Sequence, residues 1–105
     1  MPVVYIAGPI TGVGEPEKKF NELAARLRAH GYQVMSPMEL PKGMTEFAYM
    51  DICCAMVRSA DIVAMLNGWR RSIGSNVEYH LAMKCQKTIY EEDDIDEVLK
   101  GETHE

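Results

Sequence analysis

Long apolar runs are missing from this chain of 105 residues. None approaches the roughly 18–20 residues that cross a bilayer, so no membrane partner is expected. Cysteine is sparse. Three thiols, two of them adjacent at Cys53 and Cys54, make neither a disulfide framework nor a metal-ligand spacing, and no metal is expected. The N-terminus, Met1-Pro2-Val3-Val4-Tyr5, lacks the basic n-region of a signal peptide, which together with the thiols predicts a cytoplasmic protein. Histidine is equally scarce. His30 ends a helical stretch, His80 lies two positions past Glu78 and so points away from it, and His104 is near the end. No Ser-His-Asp or Cys-His arrangement is visible.

A dense basic stripe is missing too. The formal net charge is −5, but residues 91–105 hold eight of the sixteen acids and one base, Lys100. Residues 1–90 therefore carry ten Lys and Arg against eight acids. Such a body can accept a phosphate, whereas a nucleic-acid polymer is not an expected partner. The chain divides into one globular domain over residues 1–90 and an acidic tail over 91–105, partly helical or flexible.

What is present is an alternation of β-like and helical patterns. Pro2–Ala7 reads as a buried first strand, bounded by Gly8-Pro9. Gly8 to Gly14 form a glycine-rich loop in which Thr11 offers a hydroxyl. A helix follows over 15–30, with Phe20, Leu23, Ala24 and Leu27 on one face. Residues 32–35 give a second strand, and 45–59 a second helix. Periodicity sets the inward seam of that helix at Phe47, Ala48, Asp51, Ile52, Ala55 and Met56. The opposite side (Met50, Cys53, Cys54, Val57) is apolar as well, which predicts a subunit interface and a homodimer or higher oligomer. Residues 61–66 are a third strand, 76–86 a third helix and 87–90 a fourth strand. Strands alternating with helices imply a parallel sheet with right-handed crossovers. Ligands of such sheets bind beyond the carboxyl ends of the strands.

The stretch Gly68-Trp69-Arg70-Arg71-Ser72-Ile73-Gly74-Ser75-Asn76-Val77-Glu78 joins the third strand to the third helix. A Gly/Ser-rich turn opening a helix gathers backbone N–H groups around an anion. Glu78 reads in two ways: as the carboxylate of a capping box with Ser75, or as a catalytic acid beside a bound anion. Asp51 likewise either faces a site or serves as a surface or capping residue. Trp69, taken as exposed, either stacks on a base or packs at a subunit contact.

Tyr5-Ile6-Ala7-Gly8-Pro9, together with Ser72-x-Gly74-x-x-x-Glu78 after the third strand, resembles the nucleoside 2-deoxyribosyltransferase superfamily. The match spans residues 3–90, and the Gly-Trp before the second motif is similar to a small bacterial and phage branch. The resemblance implies a flavodoxin-like (Rossmann-like) three-layer α/β sandwich with a small parallel sheet of four to five strands. It also implies that Glu78 is the nucleophile attacking C1′ of a deoxyribose, and that Tyr5 positions that carboxylate. Gly8, Pro9, Ile10, Thr11 and Gly12 match the loop beneath the substrate. Transferases of the superfamily carry an aspartate six residues before the glutamate, which binds the 5′-hydroxyl. Ser72 instead resembles the 2′-deoxynucleoside 5′-phosphate N-hydrolases, whose serine binds the 5′-phosphate. The superfamily's second acid falls at Cys53 by counting back from Asp61, and at Asp51 by periodicity. Those two side chains diverge by roughly 200° on a helix.

The function this implies is N-glycoside cleavage of a (deoxy)nucleoside 5′-monophosphate, in the manner of a retaining glycosidase and with no cofactor. Asp51 would assist departure of the base. The expected partner is a small nucleotide or nucleoside. The alternatives are deoxyribosyl transfer to a second base and a non-catalytic nucleotide-binding module.

Overall fold

Strand residues of alternating orientation build two cores, one on each side of a sheet. In the computed structural model, residues 2–103 are described, with side chains through Lys100. His104 and the end of the acidic segment lie outside the described residues. The strands are β1 (Val3–Ala7), β2 (Gln33–Met35), β3 (Ile62–Met65) and β4 (Thr88–Glu91). Between and after them come α1 (Pro16–Ala29), α2 (Glu46–Ser59), α3 (Ile73–Lys84) and α4 (Glu92–Thr103). All four strands are parallel, in the order β2-β1-β3-β4. That is the start of the flavodoxin order 2-1-3-4-5.

Val4 and Ile6 of β1 join Ala64 and Leu66 on one face, against Phe20, Leu23 and Leu27 of α1 and Ile95 and Leu99 of α4. Tyr5 and Ala7 join Val63 and Met65 on the other, against Cys53 and Val57 of α2 and Ala82 of α3. Helices thus cover both faces, the three-layer α/β sandwich expected. The acidic segment is helical from Glu92, and its i, i+4 pair Ile95 and Leu99 is buried, while Arg26 of α1 pairs with Asp96. No helix among the described residues is long and apolar enough to cross a membrane.

Two features register β1 against β3. At the start, the Asp61 carboxylate accepts from Val3 N–H at 2.8 Å. At the end, Leu66 N–H donates to the Ala7 carbonyl at 2.8 Å. The strands there are so close that a Cβ on Gly8 would stand 2.8 Å from Leu66 Cβ. Glycine is required at position 8 by this approach.

The helix boundaries follow local chemistry. Thr45 caps α2 by accepting from Ala48 N–H at 3.1 Å. At α3 the cap is Ser72, whose Oγ accepts from Ser75 N–H at 3.2 Å. The helix therefore begins at Ile73, three residues before the expected start, and Glu78 lies in its second turn. The capping box between Ser75 and Glu78 does not form. Both serines suit an N-cap by type, and spacing alone does not choose between them.

α2 corrects a second expectation. Its buried residues are Cys53 and Val57, while Asp51 is exposed and Phe47 is 85% exposed. The seam assigned by periodicity is thus the outer one. Both sides of α2 are apolar, so the pattern carries no reliable direction.

Candidate active site

β1 and β3 are the strands at which the order reverses, since β1 leads to β2 on one side and β3 to β4 on the other. The crevice between their carboxyl ends is the usual ligand position in such sheets. The loops leaving them are neighbours here: a Cβ on Gly68 would lie 3.6 Å from Pro9 Cγ. At the start of α3, a Cβ on Gly74 would lie 3.9 Å from Met50 Sδ of α2. Pro9 is half-buried, while Ile10, Thr11 and Gly12 are exposed along the first loop. Gly12 has a φ of +80°, a conformation glycine adopts without strain.

Below this edge Tyr5 and Glu78 meet. The Tyr5 hydroxyl donates to Glu78 Oε2 at 2.9 Å, across 73 residues of sequence. Tyr5 is fully buried and Glu78 is 6% exposed. Cys53 of α2, also buried, brings its thiol to the same pair and interacts with both groups. It is Cys53, and not the exposed Asp51, that stands beside the carboxylate. The count back from Asp61 was the better guide than the helical period.

Burial dominates the electrostatics of the three groups. It raises Glu78 from the ordinary 4.5 to about 7, against the stabilising hydrogen bonds of Tyr5 and Cys53. It likewise drives Tyr5 far above the usual phenol range, with the Glu78 charge adding to the effect. Cys53 is pushed up to about 11, by burial first and, against the lowering effect of the Tyr5 hydrogen bond, by the Glu78 charge. Near neutrality Tyr5 and Cys53 are therefore neutral donors, and Glu78 alone changes charge.

Trp69 also departs from expectation. It is 5% exposed, with Tyr79 stacked at 4.4 Å and the Arg70 guanidinium 4.6 Å over its ring. The indole N–H donates to Glu91 at 3.2 Å, and Arg70 pairs with the same carboxylate at 3.2 Å. Its ring and N–H are engaged within the chain, which leaves no open indole face for a base. The sequence offered no signal for Tyr79 or Glu91 as its partners. Nor did it single out Asn76, whose side-chain amide donates to the carbonyls of Trp69, Arg70 and Ser72 at 3.4, 3.0 and 2.8 Å. This one side chain ties down the whole turn before α3.

Ser72 is half-buried, and its capping role uses the oxygen as an acceptor. Its proton stays available to a ligand, because a hydroxyl accepts and donates together. No acid lies in the first turn of α3, so an anion at that end meets favourable backbone dipoles. Among the described residues, no three His, Cys, Asp or Glu side chains are grouped to hold a metal.

Glu78 gives the fold a specific pH dependence. Its carboxyl ionises near 4.5 in the ordinary state and near 7 when folded. Between these values the folded chain keeps a proton the unfolded chain has lost, so stability falls as pH rises through that window. Glu78→Gln removes the penalty while keeping an acceptor for Tyr5. Its stability in urea is expected to exceed that of the parent at pH 8 by on the order of 1–3 kcal/mol, with the gain vanishing by pH 4.5. A Gln variant less stable than the parent at pH 8 would contradict the assignment.

Solved structures of similar architecture include a 2-desoxiribosyltransferase from Leishmania mexicana, with a TM-score of 0.71 and 17% identity over 87% of this chain. A 2-deoxyribosyltransferase from the psychrotolerant bacterium Bacillus psychrosaccharolyticus gives 0.68 and 20% over 85%. The CMP N-glycosidase of Clostridium botulinum gives 0.64 and 16% over 85%. The chain spans 63% of the Leishmania protein, 70% of the Bacillus protein and 69% of the Clostridium protein. The resemblance read from Tyr5-Ile6-Ala7-Gly8-Pro9 and the Ser72 to Glu78 motif thus holds at the level of the fold. No curated protein matches the sequence. Residues 2–91 match the family model described as Domain of unknown function (DUF4406), and the chain belongs to that family.

Proposed function

We propose that this protein cleaves the N-glycosidic bond of a (deoxy)nucleoside 5′-monophosphate, with Glu78 as nucleophile. The observation that carries the reading is the buried Glu78 carboxylate, oriented by the Tyr5 hydroxyl at 2.9 Å in a helix that starts beside the sheet's switch point. An ionised Glu78 attacks C1′, and the base leaves with the electrons of the C1′–N bond. Water then hydrolyses the glycosyl ester, its hydroxyl going to C1′ and its proton ending on the departed base, which gives free base and sugar 5-phosphate and restores the carboxylate. Tyr5 and Cys53 donate to the carboxylate and hold it in place. The phosphate fits the first turn of α3, with the Ser72 proton and the nearby Arg71 as further donors; an aspartate at position 72 would repel it. The loop from Gly8 to Gly12 borders the ligand.

Departure of the base is the weak step. Asp51 is exposed, and the group beside Glu78 is a neutral thiol, a poor acid for this task. Turnover is therefore slow. Transfer of deoxyribose to a second base is the competing reading, supported by the two transferases of similar fold.

The protein also forms a homodimer or higher oligomer. Phe47 and Ile73, 85% and 86% exposed, sit at the first turns of α2 and α3, and Val77, 43% exposed, follows Ile73 by about one turn on the same face of α3. Such a cluster favours burial against a second copy.

Chromatography of products from a panel of nucleosides and 5′-monophosphates, with and without acceptor base, tests the chemistry. Free base is expected from a monophosphate, at a rate that rises with pH through about 7 as Glu78 ionises and falls about 10³-fold or more in Glu78→Ala. Exchanged nucleosides would favour transfer, and binding without release would leave a nucleotide-binding module. Light scattering is expected to give at least twice the 11.8 kDa chain mass, reduced by Phe47→Glu; a parent already at the single-chain mass would contradict the pairing.

A further inference from the structure

One residue beside the proposed nucleophile is unexplained by folding. Ser75 is 2% exposed, and its Oγ is the one buried side-chain polar atom among the described residues that reaches no hydrogen-bond partner. A buried hydroxyl without a partner destabilises the fold, because its lost hydration is not replaced. Serine within a helix commonly escapes that cost by donating to the carbonyl four residues back. Here that carbonyl belongs to Arg71, and no such bond is made. Alanine would form the helix better and bury no polar atom. The hydroxyl is not needed for capping either, because Ser72 fills that role and receives the Ser75 N–H.

Its position is informative. Ser75 is three residues after Ser72 and three before Glu78, on an i, i+3, i+6 ridge of α3. Each step of three residues rises about 4.5 Å along the axis. The hydroxyl is thus midway between the helix end and the carboxylate. In a nucleotide the rest of the sugar ring lies between the 5′-phosphate and C1′.

We propose that Ser75 is a substrate-contacting residue, whose hydroxyl donates to a sugar oxygen of the nucleotide as C1′ meets Glu78. This rests on the nucleotide reading above. The ligand supplies the acceptor that the folded chain does not. Ser75 then discriminates among sugars by what it can donate to, and α3 carries a less stable residue in return for that contact.

The test separates folding from binding. Ser75→Ala is made in the parent and in Glu78→Gln, where a bound nucleotide stays intact. Thermal unfolding is followed in the first pair. Calorimetric titration with deoxynucleoside and ribonucleoside 5′-monophosphates is performed on the second. The expected result is a midpoint unchanged or raised by Ser75→Ala, with affinity lowered about five- to tenfold, the range of one neutral hydrogen bond. A lowered midpoint with unchanged affinity would overturn the proposal and assign the hydroxyl to a structural water. Unchanged affinity at unchanged stability would overturn it as well. If Glu78→Gln with Ser75 intact binds no nucleotide of the panel, the nucleotide reading itself has failed and the contact falls with it.

Discussion

A carboxylate removed from water must be held by donors or it will keep its proton, and this constraint organises one whole side of the molecule. Glu78 is answered by Tyr5 from the sheet and Cys53 from the neighbouring helix. For those three groups to meet, β1 must lie beside β3, α2 must turn Cys53 inward, and α3 must begin early enough to place residue 78 over Tyr5. Hydrophobic packing supplies the frame for this. Val63 and Met65 beneath the helices, with Ala82 and Val57 above, exclude water from the cluster. The same exclusion raises the ionisation of Glu78 to about 7. A nucleophile so placed is poorly solvated when charged, and its reactivity and the stability of the fold become opposed.

The turn before α3 is built to keep that placement. Asn76 reaches back to three carbonyls of the turn, Ser72 caps the helix, and Trp69 is clasped by Tyr79, Arg70 and Glu91. Each element of the clasp comes from a different part of the chain: the turn itself, α3, and the end of β4. A small domain has little core with which to fix a loop. Here side-chain hydrogen bonds do that work. The contrast with the first loop is plain, since Ile10, Thr11 and Gly12 are exposed.

The α/β alternation was legible in the sequence because β1 and β3 are short, β-branched runs and α1 shows a clear 3.6-residue period. The parallel topology brings Tyr5 and Glu78 to one sheet edge, whereas their roles as orienting hydroxyl and nucleophile come from the resemblance between motifs. Where reading failed, the sequence was degenerate. α2 is apolar on both sides, so its period fits two orientations, and only contact with the sheet chooses Cys53 over Asp51. Ser72 and Ser75 both suit an N-cap, and the choice moves α3 by three residues. Trp69 follows a strand in a polar turn, where exposure is a fair expectation; its burial depends on Tyr79 and on Glu91, which are distant in sequence. Cooperative side-chain networks of this kind leave no periodic trace.

Glu78 is a buried carboxylate governed by Tyr5. Carboxyl-carbon NMR titration of protein labelled at glutamate, with the Glu78 signal assigned by its loss in Glu78→Gln, reads that coupling. The expected midpoint is near 7 and moves higher still in Tyr5→Phe, where the donor that favours the charged form is gone. A midpoint near 4.5, the ordinary value, unchanged by Tyr5→Phe, would contradict it.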